Sequence, residues 1–175
     1  MAEPQWLIFA RRFIGRKELP GPESAPWIEK LWFKLRAGWL WALYGDDSTL
    51  AWCGLFVAAC LNELGYALPK HWYRARAWLE LDTPADKRRL QALDFPAVGC
   101  IVVFERKGGG HVGFVVGQSV YGHLMVLGGN QGNSVSILPF DRERVLGYRW
   151  PDSKVLALAS LPFVESASGV SQNEA

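Results

Sequence analysis

The chain has 175 residues, 50% of them apolar, and a formal net charge of +2. That length and composition fit one domain able to bury a core without disulfide or metal staples. The signs of Lys, Arg, Asp and Glu are interspersed, which excludes the one-sided basic footprint of a nucleic-acid binder.

The opening MAEPQWLIFARRFIG is interrupted by Arg11 and Arg12 before an apolar run reaches signal-peptide length, and no window approaches a membrane span. The expectation is a monomer made in the cytoplasm without a signal peptide or an integral membrane segment. A role outside the cytoplasm then requires delivery by something else. Cys53, Cys60 and Cys100 form neither a disulfide framework nor a C-x-x-C pair of the structural-zinc kind.

WLIFARRFIG carries apolar residues at helical spacing, and the Pro- and Gly-rich KELPGPESAP after it predicts a loop. From Trp27 to Tyr44 the positions Ile28, Leu31, Trp32, Leu35 and Trp39 recur every three or four residues. This predicts one amphipathic segment, whose stripe is read as core-facing rather than as a membrane-surface face. GDDSTLAW (45–52) is a turn-rich approach in which Asp46 and Asp47 are placed to cap the next helix or to bind a basic amine. In GLFVAACLNELG (54–65), Leu55, Phe56, Ala59, Cys60 and Leu64 share a face and Gly65 supplies a stop. Residues 66–97 read as irregular structure with short helices near RARAWLEL and ADKRRLQAL.

The pattern then becomes β-branched and Gly-punctuated. GCIVVFER (99–106), HVGFVVGQ (111–118), HLMVLGGN (123–130) and SVSILPF (134–140) predict an antiparallel meander, and GYRWP (147–151) adds a strand. Helices followed by strands make an α+β domain over residues 1–163, and residues 164–175 have the composition of a disordered tail.

A cysteine nucleophile attacks as the thiolate, and a helix N-terminus beside an imidazole favours that form. Cys53, immediately before the predicted helix, has that position; its alternative is a small buried hydrophobe. His111 opens a strand after ERKGGG, as a base or as a satisfied structural residue. A four-residue loop at 119–122 would pair Gln118 with His123 and place His111 opposite Asn130, on one face. Asn130 would then fix the imidazole tautomer, whereas a slip by one residue puts Gly129 there. Asn130 within LGGNQGN also reads as a plain turn residue.

The segments AWCGLFVAACLNELGY, GCIVVFERKGGGHVGFVVG, VLGGNQGNSVSI and LGYRWP, in this order, resemble the phage-lysin branch of the CHAP family, the cysteine, histidine-dependent amidohydrolases and peptidases related to NlpC-type wall peptidases. IGRKELPGPESAPWI and RARAWL extend the likeness over about residues 6 to 151. The resemblance implies a papain-like α+β fold, with N-terminal helices packed on a central antiparallel sheet of four to six strands. It implies Cys53 as nucleophile, His111 as base and Asn130 as the polar residue closing the next strand, with no cofactor or metal. Gln131 is the substitute should Asn130 point away, and is also a substrate-binding candidate. Trp52 and Trp78, whose flat rings suit sugars and peptide stems, read as substrate-groove residues or as plain core packing. The implied activity is cleavage of peptidoglycan amide bonds, as an N-acetylmuramoyl-L-alanine amidase or endopeptidase, in phage lysis, tail entry or antibacterial attack. The implied partners are peptidoglycan and an immunity protein, phage tail or secretion-system carrier. Relatives often have Gly-Asp-Ile where this chain has Gly99-Cys100-Ile101. Two other readings are a non-catalytic binding component with the same fold, and a zinc hydrolase using Cys53, His111 and His123.

Overall fold

The structure is a computed structural model that describes residues 3–20, 23–44, 50–80, 90–152, 160–165 and 169–171. Among these, four α-helices precede a six-stranded sheet, so the fold is α+β as the sequence order predicts. Helix α1 (Gln5–Arg11) buries Trp6, Leu7 and Ala10, one turn apart. Helix α2 (Pro26–Lys34) begins on a proline whose φ is preset for the first turn, and buries Ile28 and Trp32.

The amphipathic segment expected to run from Trp27 to Tyr44 is instead two helices, α2 and α3 (Gly38–Tyr44). The break is a left-handed cap at Arg36 (φ 56°), where Ala37 N–H donates to the Trp32 carbonyl and Arg36 N–H to that of Phe33. Glycine normally occupies such a position; an arginine there gives no stop signal in the sequence.

Helix α4 (Cys53–Asn62) is a buried helix as its apolar run predicts, and it is covered on every side from Cys53 through Leu61, beyond the one face of Leu55, Phe56, Ala59 and Cys60. It closes as predicted at Gly65 (φ +73°), with Tyr66 N–H on the Leu61 carbonyl and Gly65 N–H on that of Asn62.

The sheet comprises β1 (Gln91–Leu93), β2 (Ile101–Arg106), β3 (Gly109–Gln118), β4 (Leu124–Gly128), β5 (Ser136–Phe140) and β6 (Val145–Trp150), all paired antiparallel in the order β1-β6-β2-β3-β4-β5. Strands β2 to β5 are the predicted meander, and β6 returns to the far side of β2. Residues 91–93, expected to end a helix in ADKRRLQAL, form β1 against β6, whose free edge supplies ladder partners. Residues 85–89 of that segment lie outside the described residues.

The described part of the expected tail is docked rather than frayed. Val164 N–H donates to Gln118 O, Ser171 N–H to Pro139 O, and the Arg144 guanidinium to Ser171 O. Helix α4 packs on β3 and β4, while the 3-10 turn Ala75–Leu79 packs on β2, β3 and β6. The start of α4 and the start of β3 thereby come together at one end of the core.

The cap at Gly65 is directly testable, because open space surrounds the position where a side chain would go. Gly65→Ala should cost about 1–2 kcal/mol from backbone strain alone, and lower Tm by roughly 2–8 °C in a chain of this size. An unchanged melting curve by circular dichroism would show that the left-handed cap is not needed.

Candidate active site

Cys53 is the first residue of α4, and the first intrahelical hydrogen bond runs from Phe56 N–H to Trp52 O. The amide groups ahead of Phe56 therefore have no carbonyl partner within the helix. The amides of Val112, Gly54 and Cys53 itself lie near enough to the Cys53 sulfur to favour its thiolate. Burial pushes the thiol up from its ordinary range, and these amides and the charge of Arg106 pull it back only in part. Gly54 is required here: a Cβ would stand 2.6 Å from the Trp72 carbonyl oxygen and 2.7 Å from that of Tyr73, so only glycine lets this segment close on the helix tip.

Val112, whose amide meets the thiol, directly follows His111 on β3. The His111 ring is 1% exposed and stacks on Phe140 with centroids 5.2 Å apart and planes 4° apart. Its Nε2 lies 3.0 Å from Gln131 Oε1. The Gln131 amide nitrogen donates to the carbonyls of Ser136 (2.8 Å) and Val126 (3.3 Å), which fixes the carboxamide with its oxygen toward the ring. An amide oxygen accepts only, so Nε2 of His111 must carry a proton. Nδ1 is then the basic nitrogen of the neutral ring.

Glycine clears the space for this pair. A Cβ on Gly128 would collide with Gln131 Oε1 and lie 3.1 Å from His111 Nε2. The loop beyond β4 is pinned as well. Gln131 N–H donates to Ser134 O, and Gly15, Val135 and Glu18 N–H groups bond across residues 15–18 and 133–135.

Asn130 does not meet the ring by this route. The β3–β4 ladder has Gln118 opposite Leu124, a longer turn than expected, and an irregularity between Val115 and Gly117 brings Phe114 opposite Leu127. Continuing that register would reach Asn130, but β4 ends at Gly128 and Asn130 turns left-handed (φ 57°). Its Oδ1 is buried with no hydrogen-bond partner among the described residues. The place expected for Asn130 at the imidazole is taken by Gln131, which was also placed among the substrate contacts but is 2% exposed and fully engaged.

A cavity of about 780 Å³ borders Cys53, and its lining includes Trp39 and Leu43 of α3, Tyr73, Arg74 and Arg76, and the turn Gly108–Gly110. Trp39 is 62% exposed and Leu43 68%. The sequence reading missed these residues, since Trp39 falls on the regular spacing of the α2 stripe and looks like core.

Comparison with known families gives one match, in which the CHAP domain model covers residues 44–130. The chain carries a CHAP domain. Domains of this family are in general cysteine- and histidine-dependent hydrolases, and membership points to peptidoglycan as the substrate. No curated protein and no solved structure matches the chain. Cys53, His111 and Asn130 fall inside the matched segment, and Gln131 is the residue that follows it.

Within the CHAP domain, Trp52 and Trp78 prove to be core and not groove residues. Both are fully buried, with ring N–H groups satisfied by the Glu18 carboxylate (2.8 Å) and the Trp72 carbonyl (2.8 Å). Trp52 contacts Trp27 edge-on at 5.3 Å, and a Cβ on Gly129 would come within 2.6 Å of its ring. It therefore locks the helix tip to the end of β4. Cys60 and Cys100 are fully buried, and burial pushes both thiols up, that of Cys100 to about 12. Cys100 fills a site where an ionised side chain would be sealed from water, and its sulfur accepts from Ala97 N–H at 3.4 Å. His123 lies beyond the far end of β3, roughly 20 Å or more from His111 at strand spacing, so Cys53, His111 and His123 cannot share a zinc ion. Asp46 and Asp47 lie outside the described residues.

Trp52→Ala and Trp78→Ala should each destabilise the fold by about 3–5 kcal/mol, read as a shift in the urea midpoint. A groove residue would instead raise KM and leave that midpoint in place. Because the thiol is pushed up, iodoacetamide should label Cys53 faster as pH rises above neutrality, while Cys60 and Cys100 stay unlabelled. Peptide mass spectrometry reads this, and equal sluggishness of all three cysteines would favour a non-catalytic scaffold.

Proposed function

We propose that the chain hydrolyses amide bonds in peptidoglycan through a Cys53 thioester, with His111 as acid and base and Gln131, rather than Asn130, as the group that orients the imidazole. The observation that carries this is the Gln131 carboxamide on His111 Nε2, which leaves Nδ1 as the basic nitrogen next to the residue whose amide meets the thiol.

In the reaction, Nδ1 takes the thiol proton as the sulfur attacks the substrate carbonyl carbon. The tetrahedral oxyanion forms at the tip of α4, where the Cys53 amide, which has no carbonyl partner within the helix, donates to it in place of the sulfur. His111 then gives its Nδ1 proton to the departing amine nitrogen, leaving an acyl thioester. Water, deprotonated by Nδ1, attacks the thioester and the sulfur leaves to regenerate the thiol. The imidazolium formed at each stage keeps its Nε2–H on Gln131 Oε1, so the ring does not rotate between steps. Access to the wall, in this reading, comes through a phage or secretion carrier.

Zymograms on purified sacculi test the assignment. Cys53→Ala and His111→Ala should abolish clearing while both proteins remain folded. Gln131→Leu should lose activity but roughly a hundredfold less than Cys53→Ala, as orienting groups do in hydrolase triads. Asn130→Gly, which suits the left-handed backbone, should lose less than Gln131→Leu. Clearing by folded Cys53→Ala removes the mechanism, and the reverse order for Gln131 and Asn130 removes the orienting role of Gln131.

A further inference from the structure

We infer that the cleft at Cys53 selects wall peptides that keep a free carboxylate, and that Arg74 is the residue that reads it. This rests on the proposed hydrolase function and names the substrate feature it discriminates.

The lining of the cavity is of two kinds. Trp39 and Leu43 present apolar surface to solvent from α3, a costly exposure unless something covers it. The rest of the lining carries two guanidinium groups, and they are not equivalent. Arg76 is already engaged, its Nε donating to Gly109 O at 2.9 Å and its Nη2 3.5 Å from Glu105. It braces the glycine turn that leads into His111. Arg74 lies 5.7 Å over the Tyr73 ring, and among the described residues its guanidinium has no hydrogen bond or ion pair.

Charge around the cleft supports an anionic ligand. Among the described residues, Glu80 is the one acidic residue lining the cavity, against Arg74 and Arg76, and the adjoining depression at Gly108 and Gly109 is bordered by Arg106 and Lys107 against Glu105. A planar guanidinium with open donors matches a carboxylate in two parallel hydrogen bonds. It cannot pair in that way with an amide, whose NH₂ would face its own N–H groups. The flat Trp39 ring in the same lining offers a surface for the apolar face of a sugar or of a peptide side chain. A peptide stem in the cleft, with its scissile carbonyl at Cys53, thus has its carboxylate read by one part of the lining and its apolar face covered by another.

The test is calorimetric titration of the full chain carrying Cys53→Ala with two soluble muropeptides, identical except that the stem carboxylates are free in one and amidated in the other. The free form should bind at least tenfold more tightly. Adding Arg74→Gln should erase that difference and leave the affinity for the amidated form as it was; Arg74 is exposed, so the variant keeps the parent melting curve. Equal affinities in the parent, a preference that survives Arg74→Gln, or no binding of either ligand would overturn the inference. Turnover of both muropeptides by the wild-type chain separates the two claims. Preferential binding without hydrolysis would defeat the proposed reaction alone, and hydrolysis of both forms with the same KM would defeat the carboxylate selection alone.

Discussion

One hydrogen bond, from His111 Nε2–H to Gln131 Oε1, constrains the rest of the site. Its direction is set by the backbone, because the other end of the carboxamide is held by the carbonyls of Val126 and Ser136 on the two strands that flank the turn. A carboxamide anchored this way presents only its oxygen to the ring, and the ring has only one tautomer that can answer. The turn is in turn pinned to residues 15–18, which lead into the Trp27 and Trp52 contacts and so to the tip of α4. Positions on four separated segments therefore depend on each other, and a change at Trp52 or Gly128 acts on the chemistry without touching substrate.

The second constraint is the setting of the thiol. Three cysteines lie in an apolar core that disfavours the thiolate at each of them. Only Cys53 combines a border on the cavity with several amide donors at its sulfur. A core helix buried on every side suits this use, since its tip is held by packing while its first amides, without carbonyl partners in the helix, lie at the residue that borders the cavity.

Much of this was legible in the sequence. The meander from β2 to β5, the core helix behind Cys53 and the Gly65 stop follow from β-branched runs, apolar continuity and a glycine in its usual place. What was missed has physical causes. Arg36 ends α2 in a conformation that sequence assigns to glycine, so two helices read as one. The turn between β3 and β4 is longer than a simple hairpin, and a compensating irregularity at Val115 and Gly117 is invisible to residue counting. The count that aligned Asn130 with His111 also assumed a strand that continued to residue 130, whereas the backbone turns away at Gly128 and delivers the next side chain instead. The sequence leaves Trp52 and Trp78 open between groove and core, because an aromatic ring looks the same in a core and at a binding surface until its burial is known. Trp39, which does face the cleft, was concealed by its helical spacing.

The most direct test of the central claim is the protonation state of the His111 ring nitrogens in the resting protein, read from ¹⁵N imidazole chemical shifts in selectively labelled samples. A neutral ring protonated at Nε2, with that signature lost in Gln131→Leu, is the predicted result. A ring protonated at Nδ1, or one indifferent to Gln131→Leu, would contradict the account.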